Sequence, residues 1–159
     1  LQNPPLPTHQ ETRIRAHSSG MPRLQSDTQA AGYNAPNPPA RVLIVEDNHH
    51  LAQLFSDLLE VLGCTSDVAL SARSGLDMVH KKRPDLIFCD LRLPGEMDGF
   101  GFAREFRSMS LSPFVPLVAV TGLCTAEDRE KAMQAGFDRI FIKPLKFNEI
   151  QELVDSLHR

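Results

Sequence analysis

The sequence predicts an α/β fold, a doubly wound five-stranded parallel sheet with five helices covering both faces. Three observations predict it. Five short apolar runs alternate with five stretches of helical periodicity, the β-α order that lays parallel strands under crossover helices. The principal strand candidates are apolar throughout rather than alternating, as strands buried on both faces are. Four of the runs finish in polar groups, Glu46-Asp47, Asp90, Thr121 and Lys143, at the strand ends where open α/β sheets place their ligand sites.

The 159 residues suffice for one domain with a proper core plus a tail. Residues 1–40 hold seven of the twelve prolines with Gln, Ser, Thr, Asn and Ala. Such a composition buries too little apolar surface to offset ordering entropy and reads as a disordered tail or linker, stiffened at Asn34–Pro39. Arg41 and the run Val42–Val45 form the first strand. Leu51, Leu54, Phe55, Leu58, Leu59 and Leu62 then fall on one helical face, and Gly63 is placed to stop that helix. A strand over Thr65–Ala69 follows. Ser71 caps a helix to about Lys82, with Ala72, Leu76 and Val79 inward. Pro84 ends it before the strand Leu86–Cys89.

The turn-rich loop Leu93–Gly99 leads into a helix with Phe102, Phe106 and Met109 on one side. Pro113 and Pro116 bracket the approach to the strand Leu117–Val120. Thr125, with Asp128 three residues on, begins the next helix as a capping box. Ala126, Arg129, Met133 and Gly136 carry it to its end. Ile140–Ile142 is the fifth strand, and Phe147, Ile150, Leu153, Val154 and Leu157 mark the last helix. The expected strand order is 2-1-3-4-5, a flavodoxin-like arrangement with the Asp90 strand at its centre.

Composition excludes several functions. No apolar run approaches the ~18–20 residues of a membrane span, and the proline-rich N-terminus lacks the apolar core of a signal peptide. A formal net charge of -3 offers no basic footprint for nucleic acid. Cys64, Cys89 and Cys124 are odd in number and widely spaced, which suits reduced cytoplasmic thiols rather than disulfides or a zinc site. Cys89 reads as a packed small hydrophobe. His49 and His50 read as exposed first-turn residues, and Asp98 and Gly99 as turn and helix-start residues.

At the expected rim, Glu46, Asp47 and Asp90 would repel one another unless a cation compensates. Carboxylate oxygens, a backbone carbonyl and waters are what Mg²⁺ prefers, at ~2.1 Å. Lys143 adds a fixed positive charge and Thr121 a hydroxyl donor. One metal, one ammonium and one hydroxyl can neutralise the three equatorial oxygens of a phosphoryl group in transfer. The nucleophile would be a carboxylate, and Asp90 on the central strand is the best candidate.

Five motifs in order carry a resemblance to the receiver domains of two-component response regulators. They are Val-Leu-Ile-Val-Glu-Asp-Asn at 42–48, Asp-Leu-Arg-Leu-Pro-Gly at 90–95 with Met-Asp-Gly at 97–99, Ala-Val-Thr-Gly at 119–122, Ala-Gly-Phe-Asp at 135–138 and Phe-Ile-Lys-Pro-Leu at 141–145. The resemblance spans about residues 41–158 and implies a receiver domain over 41–159. It implies that Asp90 accepts a phosphoryl group from a phosphohistidine of a histidine kinase or histidine phosphotransfer domain. It further implies Mg²⁺ or Mn²⁺ held by Asp47 directly, by Glu46 through water, by Asp90 and by the Arg92 backbone carbonyl. Thr121, the Gly122 amide and Lys143 would meet phosphate oxygens, and the Lys143-Pro144 peptide is expected cis.

On this reading the chain is no enzyme beyond self-catalysed transfer to, and hydrolysis from, its own Asp90. It acts in the cytoplasm and switches an interaction surface toward a downstream effector. The Leu start and proline-rich leader favour a receiver from the C-terminal part of a hybrid kinase, with a stand-alone receiver starting at Met21 as the alternative. Two departures stand out: one extra residue around Gly95-Glu96, and Ile140 where the family often has an aromatic switch residue. Phe141 beside it should point to the opposite face. The rival readings are a haloacid-dehalogenase-like phosphatase, a nucleotide or flavin binder, and an interaction module that is never phosphorylated. The first wants an acid where Arg92 stands, and the second a Gly-rich phosphate loop where Glu46-Asp47-Asn48 stands.

Overall fold

The computed structural model describes residues 37–111 and 113–159; the expected tail, up to residue 36, lies outside the described residues. Strands β1 (Arg41–Val45), β2 (Thr65–Ala69), β3 (Leu86–Cys89), β4 (Leu117–Thr121) and β5 (Arg139–Ile142) form one parallel sheet. Its order is β2-β1-β3-β4-β5, as the alternation of elements predicts. Helices α1 (His49–Val61), α2 (Ala72–Lys81), α3 (Gly99–Ser108) and α4 (Ala126–Ala135) connect the strands, and α5 (Phe147–Leu157) follows β5.

Period-two alternation divides each central strand between two cores. Leu43, Val45, Ile87, Cys89, Leu117 and Ala119 face α2, α3 and α4, where Leu76, Phe102, Phe106 and Ala132 pack against them. Val42, Ile44, Leu86, Phe88, Val118 and Val120 face α1 and α5 and meet Phe55, Leu59, Ile150 and Leu153. Every residue of β3 is buried, which is why its sequence runs apolar without interruption. Ile140 packs toward the first core and Phe141 toward the second, opposite faces of one strand as expected.

The helix ends follow local chemistry. The Asn48 side chain accepts the Leu51 N–H at 3.1 Å, and Ser71 accepts that of Ser74 at 3.1 Å. Thr125 and Asp128 form the reciprocal capping box. Gly63 and Gly136 take positive φ values of 77° and 115° just past α1 and α4, where a side chain would be strained.

Two helices bury fewer of their apolar residues than their sequences suggest. On α4 Met133 is half exposed, and Asp128, Ala132 and Ala135 are the buried residues. Nor does the whole apolar face of α1 enter the core. At 100° per residue its six apolar positions plus Ala52 cover an arc of about 160°, wider than a core stripe. Ala52, Phe55 and Leu59 are buried, whereas Leu51 and Leu54 are exposed, Leu54 at 67%.

Gly99 positions the loop that follows β3. Its N–H donates to the Leu91 carbonyl at 3.2 Å, and a Cβ there would collide with the Asp90 carbonyl oxygen and the Leu91 Cα. A Cβ on Gly122 would meet nothing within 4 Å. Gly99→Ala should therefore destabilise the domain by about 2–3 kcal/mol, and Gly122→Ala should stay within about 0.5 kcal/mol of wild type. Urea unfolding measures both, and equal effects would contradict this account of the loop.

Candidate functional site

The sheet register builds the site. Val45 pairs with Cys89, and Cys89 with Ala119. Glu46 and Asp90 are the next residues along their strands, so they leave the sheet side by side. The ladder continues one step further through Asp90 N–H to Val45 O at 2.9 Å and Glu46 N–H to Ala69 O at 3.0 Å. On the other side the Lys143 N–H donates to Thr121 O at 2.9 Å, which aligns the ends of β4 and β5.

Lys143 Nζ donates to Glu46 Oε2 at 2.7 Å and to Asp90 Oδ2 at 2.8 Å. The remaining oxygens are also engaged: Glu46 Oε1 accepts the Asn48 N–H at 3.0 Å and Asp90 Oδ1 the Arg92 N–H at 2.9 Å. Glu46 and Asp90 are only 7% and 8% exposed, so these partners offset their desolvation. Asp47 stands beside them in solvent. Thr121 is fully buried and its hydroxyl donates to Leu123 O at 3.2 Å. The Lys143-Pro144 peptide is cis, as the resemblance implied.

The electrostatics follow from crowding. Burial pulls the Lys143 ammonium down, but the hydrogen bonds it donates to Asp90 and Glu46, with their charges, outweigh this and raise its pKa above the ordinary lysine value. Its ion pairs stabilise fully below the unfolded-state pKa of ~10.4 and are lost as pH rises through the raised folded value. Burial first, then the charges of Asp90, Glu46 and Asp98, push the Cys89 thiol well up. Cys89 thus remains a neutral packed thiol. Its Sγ donates to Asp90 O at 3.3 Å.

The donor set suits a hard divalent cation. Glu46, Asp47 and Asp90 each offer an oxygen, all within 4.8 Å of one another, and one ammonium leaves the trio with a formal excess of negative charge. Oxygen donors at this spacing favour Mg²⁺ or Mn²⁺ over softer ions. Six sequence-nominated groups therefore meet at one rim: Glu46, Asp47, Asp90, Thr121, Lys143 and the Arg92 peptide. Gly122 follows Thr121 directly. His49 and His50 are exposed on the first turn of α1, and Asp98 caps α3 through Gly101 N–H at 2.9 Å.

Two features escaped the sequence. The Arg92 side chain turns away from Asp90 to Asp128, which had shown only as a capping residue. Leu51 and Leu54 flank the acidic rim as exposed apolar groups; the excess width of the α1 stripe was the available signal. With Leu58, Phe55, Pro144 and Leu145 they line a groove of ≈ 550 Å³ that runs up to Asp90 and Lys143.

Residues 42–155 match the family model described as the response regulator receiver domain. Over 120 residues the chain is 35% identical to hybrid signal transduction histidine kinase L of Dictyostelium discoideum, a match covering 72% of this chain and 7% of that protein. It is 31% identical over 118 residues to the polar-differentiation response regulator DivK of Brucella anthropi, covering 74% of this chain and 95% of DivK. A solved receiver domain from a sensor histidine kinase of Pseudomonas aeruginosa, with magnesium coordinated in its active-site cleft, superposes with a TM-score of 0.69. That structure is 29% identical, the alignment covering 76% of this chain and 99% of the other.

If the acid trio recruits the cation, Mg²⁺ should raise the melting temperature of the wild type, by about 1.4 kcal/mol of stability at tenfold excess over Kd. Asp47→Asn should lose that shift while remaining at least as stable without metal, since like-charge repulsion is relieved. An equal Mg²⁺ shift in both proteins would remove Asp47 from the metal site.

Proposed function

This chain belongs to the response regulator receiver domain family, and on that premise we propose that Asp90 is its phosphoacceptor, loaded from a phosphohistidine of a histidine kinase or histidine phosphotransfer domain. The observation that carries this reading is the tethering of Asp90. Arg92 N–H holds one carboxylate oxygen and Lys143 the other, which sets the carboxylate plane before a donor arrives.

In the transfer, a carboxylate oxygen of Asp90 attacks phosphorus. The P–O bond forms as the P–N bond to the imidazole breaks, and the departing imidazole takes a proton from solvent. Lys143, already 2.8 Å from Oδ2, shifts onto a phosphoryl oxygen. Thr121 exchanges its bond to Leu123 O for a second oxygen, where the Gly122 N–H joins it. A divalent cation on Glu46, Asp47, Asp90 and the Arg92 carbonyl supplies, when bound, the charge that neutralises the phosphoryl oxygens. In hydrolysis water attacks phosphorus, the P–O bond to Asp90 breaks, and inorganic phosphate leaves. The chain turns over only its own aspartate and is not an enzyme acting on a separate substrate.

With Ile140 in place of an aromatic, the response to phosphate runs through movement of the loop after β4. The groove beside α1 receives the donor: a histidine-bearing helix with an apolar stripe fits Leu51, Leu54 and Leu58 and brings its imidazole to Asp90. A cytoplasmic setting fits the three free cysteines. Both a hybrid kinase and a stand-alone regulator accommodate such a domain, as the two relatives illustrate. A phosphatase of the haloacid-dehalogenase type is disfavoured, because the position two residues past Asp90 holds Arg92, bound to Asp128.

Incubation with Mg²⁺ and a small acyl-phosphate donor should add one phosphate to the intact mass of the wild type and none to Asp90→Asn. An equal gain in the variant would end the assignment. Leu54→Asp should lower the rate from a phosphohistidine donor at least tenfold relative to the rate from the small donor. An unchanged ratio would place the docking surface elsewhere.

A further inference from the structure

Arg92 has two ends with different partners. Its N–H is bonded to Asp90 Oδ1 at 2.9 Å, while Nη2 reaches both oxygens of Asp128 at 2.8 Å. Asp128 is a firm anchor. It is one of four buried polar or charged residues among the described ones, at 7% exposure, and it already serves the α4 capping box. It accepts the Thr125 N–H at 3.0 Å, and its own N–H donates to Thr125 Oγ1 at 3.1 Å. The Arg92 side chain is 59% exposed, so an unanchored guanidinium would be free to swing over the neighbouring acids. Hydrogen bonds from Thr125, and then Arg92, hold the Asp128 carboxyl below the usual range despite some desolvation.

We propose that Asp128 is a positioning residue for cation binding: by gripping the Arg92 guanidinium it steadies the Arg92 peptide at the metal-binding rim and keeps an unpaired positive charge off Glu46, Asp47 and Asp90. The inference rests on the phosphoacceptor reading above, which assigns the Arg92 carbonyl to the cation. Both effects have the same sign. Releasing the guanidinium loosens a ligand and adds electrostatic repulsion toward Mg²⁺. The grip also ties the loop after β3 to the first turn of α4, so that a change at one reaches the other.

The test is a double-mutant cycle read by Mg²⁺ titration of amide chemical shifts, with thermal melting as the check on folding. Asp128→Asn keeps an oxygen for the Thr125 cap but removes the charge, and should weaken Mg²⁺ binding threefold to tenfold. In an Arg92→Met background the same substitution should change the Kd by less than 1.5-fold, because nothing remains to be released. Should Asp128→Asn not fold, Asp128→Gln takes its place, since Gln also suits the third position of a capping box. Equal weakening with and without Arg92, or an unchanged Kd in Asp128→Asn, would overturn the proposal. A wild type that binds no Mg²⁺ would overturn the cation reading beneath it as well.

Discussion

The double ion pair of Lys143 with Glu46 and Asp90 is the contact on which the rest of the site depends. Three strands contribute to it: Glu46 follows β1, Asp90 follows β3 and Lys143 follows β5. Two nearly buried carboxylates this close would repel each other and lose hydration, and one ammonium lying between them answers both problems. It does so only partly, because Asp47 adds a third acid to the same cluster. The rim is left short of positive charge, an arrangement that costs stability and suits a divalent cation.

The fold makes that concentration possible. Parallel strands all finish on one edge, so consecutive β-α units bring residues 46, 90, 121 and 143 to one rim without any long-range design beyond register. The register itself is set by alternation: Val45 and Cys89 must face α2 and α3, Ile44 and Phe88 must face α1 and α5, and a one-residue slip would invert both. Gly99 lets α3 begin directly against the Asp90 carbonyl. The Asp90 carboxylate is thus held by the Arg92 N–H on one side and by Lys143 on the other.

Much of this was legible in the sequence because it follows from short-range rules. The unbroken apolar runs at 42–45, 86–89 and 117–120, ending in acids or a hydroxyl, mark the three central strands and the acids and threonine at their tips. Ser71 and Thr125 announced their helices through capping chemistry. What stayed hidden depends on tertiary space. Met133 has the hydrophobicity of a core residue, yet the residues that α4 buries are Asp128, Ala132 and Ala135. Leu51 and Leu54 share the periodicity of Phe55 and Leu59, yet only the latter pair is buried, because the stripe is wider than the face that meets the core. Arg92 and Asp128 are 36 positions apart, and no local pattern links them.

The proposed function requires one aspartate to carry an acyl phosphate in the presence of a divalent cation. Borohydride reduces an aspartyl phosphate to homoserine, so reduction after treatment with an acyl-phosphate donor, followed by peptide sequencing, reads the site directly. The account predicts homoserine at position 90, formed with Mg²⁺ and absent when the metal is chelated. Homoserine at position 47, or equal conversion at position 90 with and without metal, would contradict it.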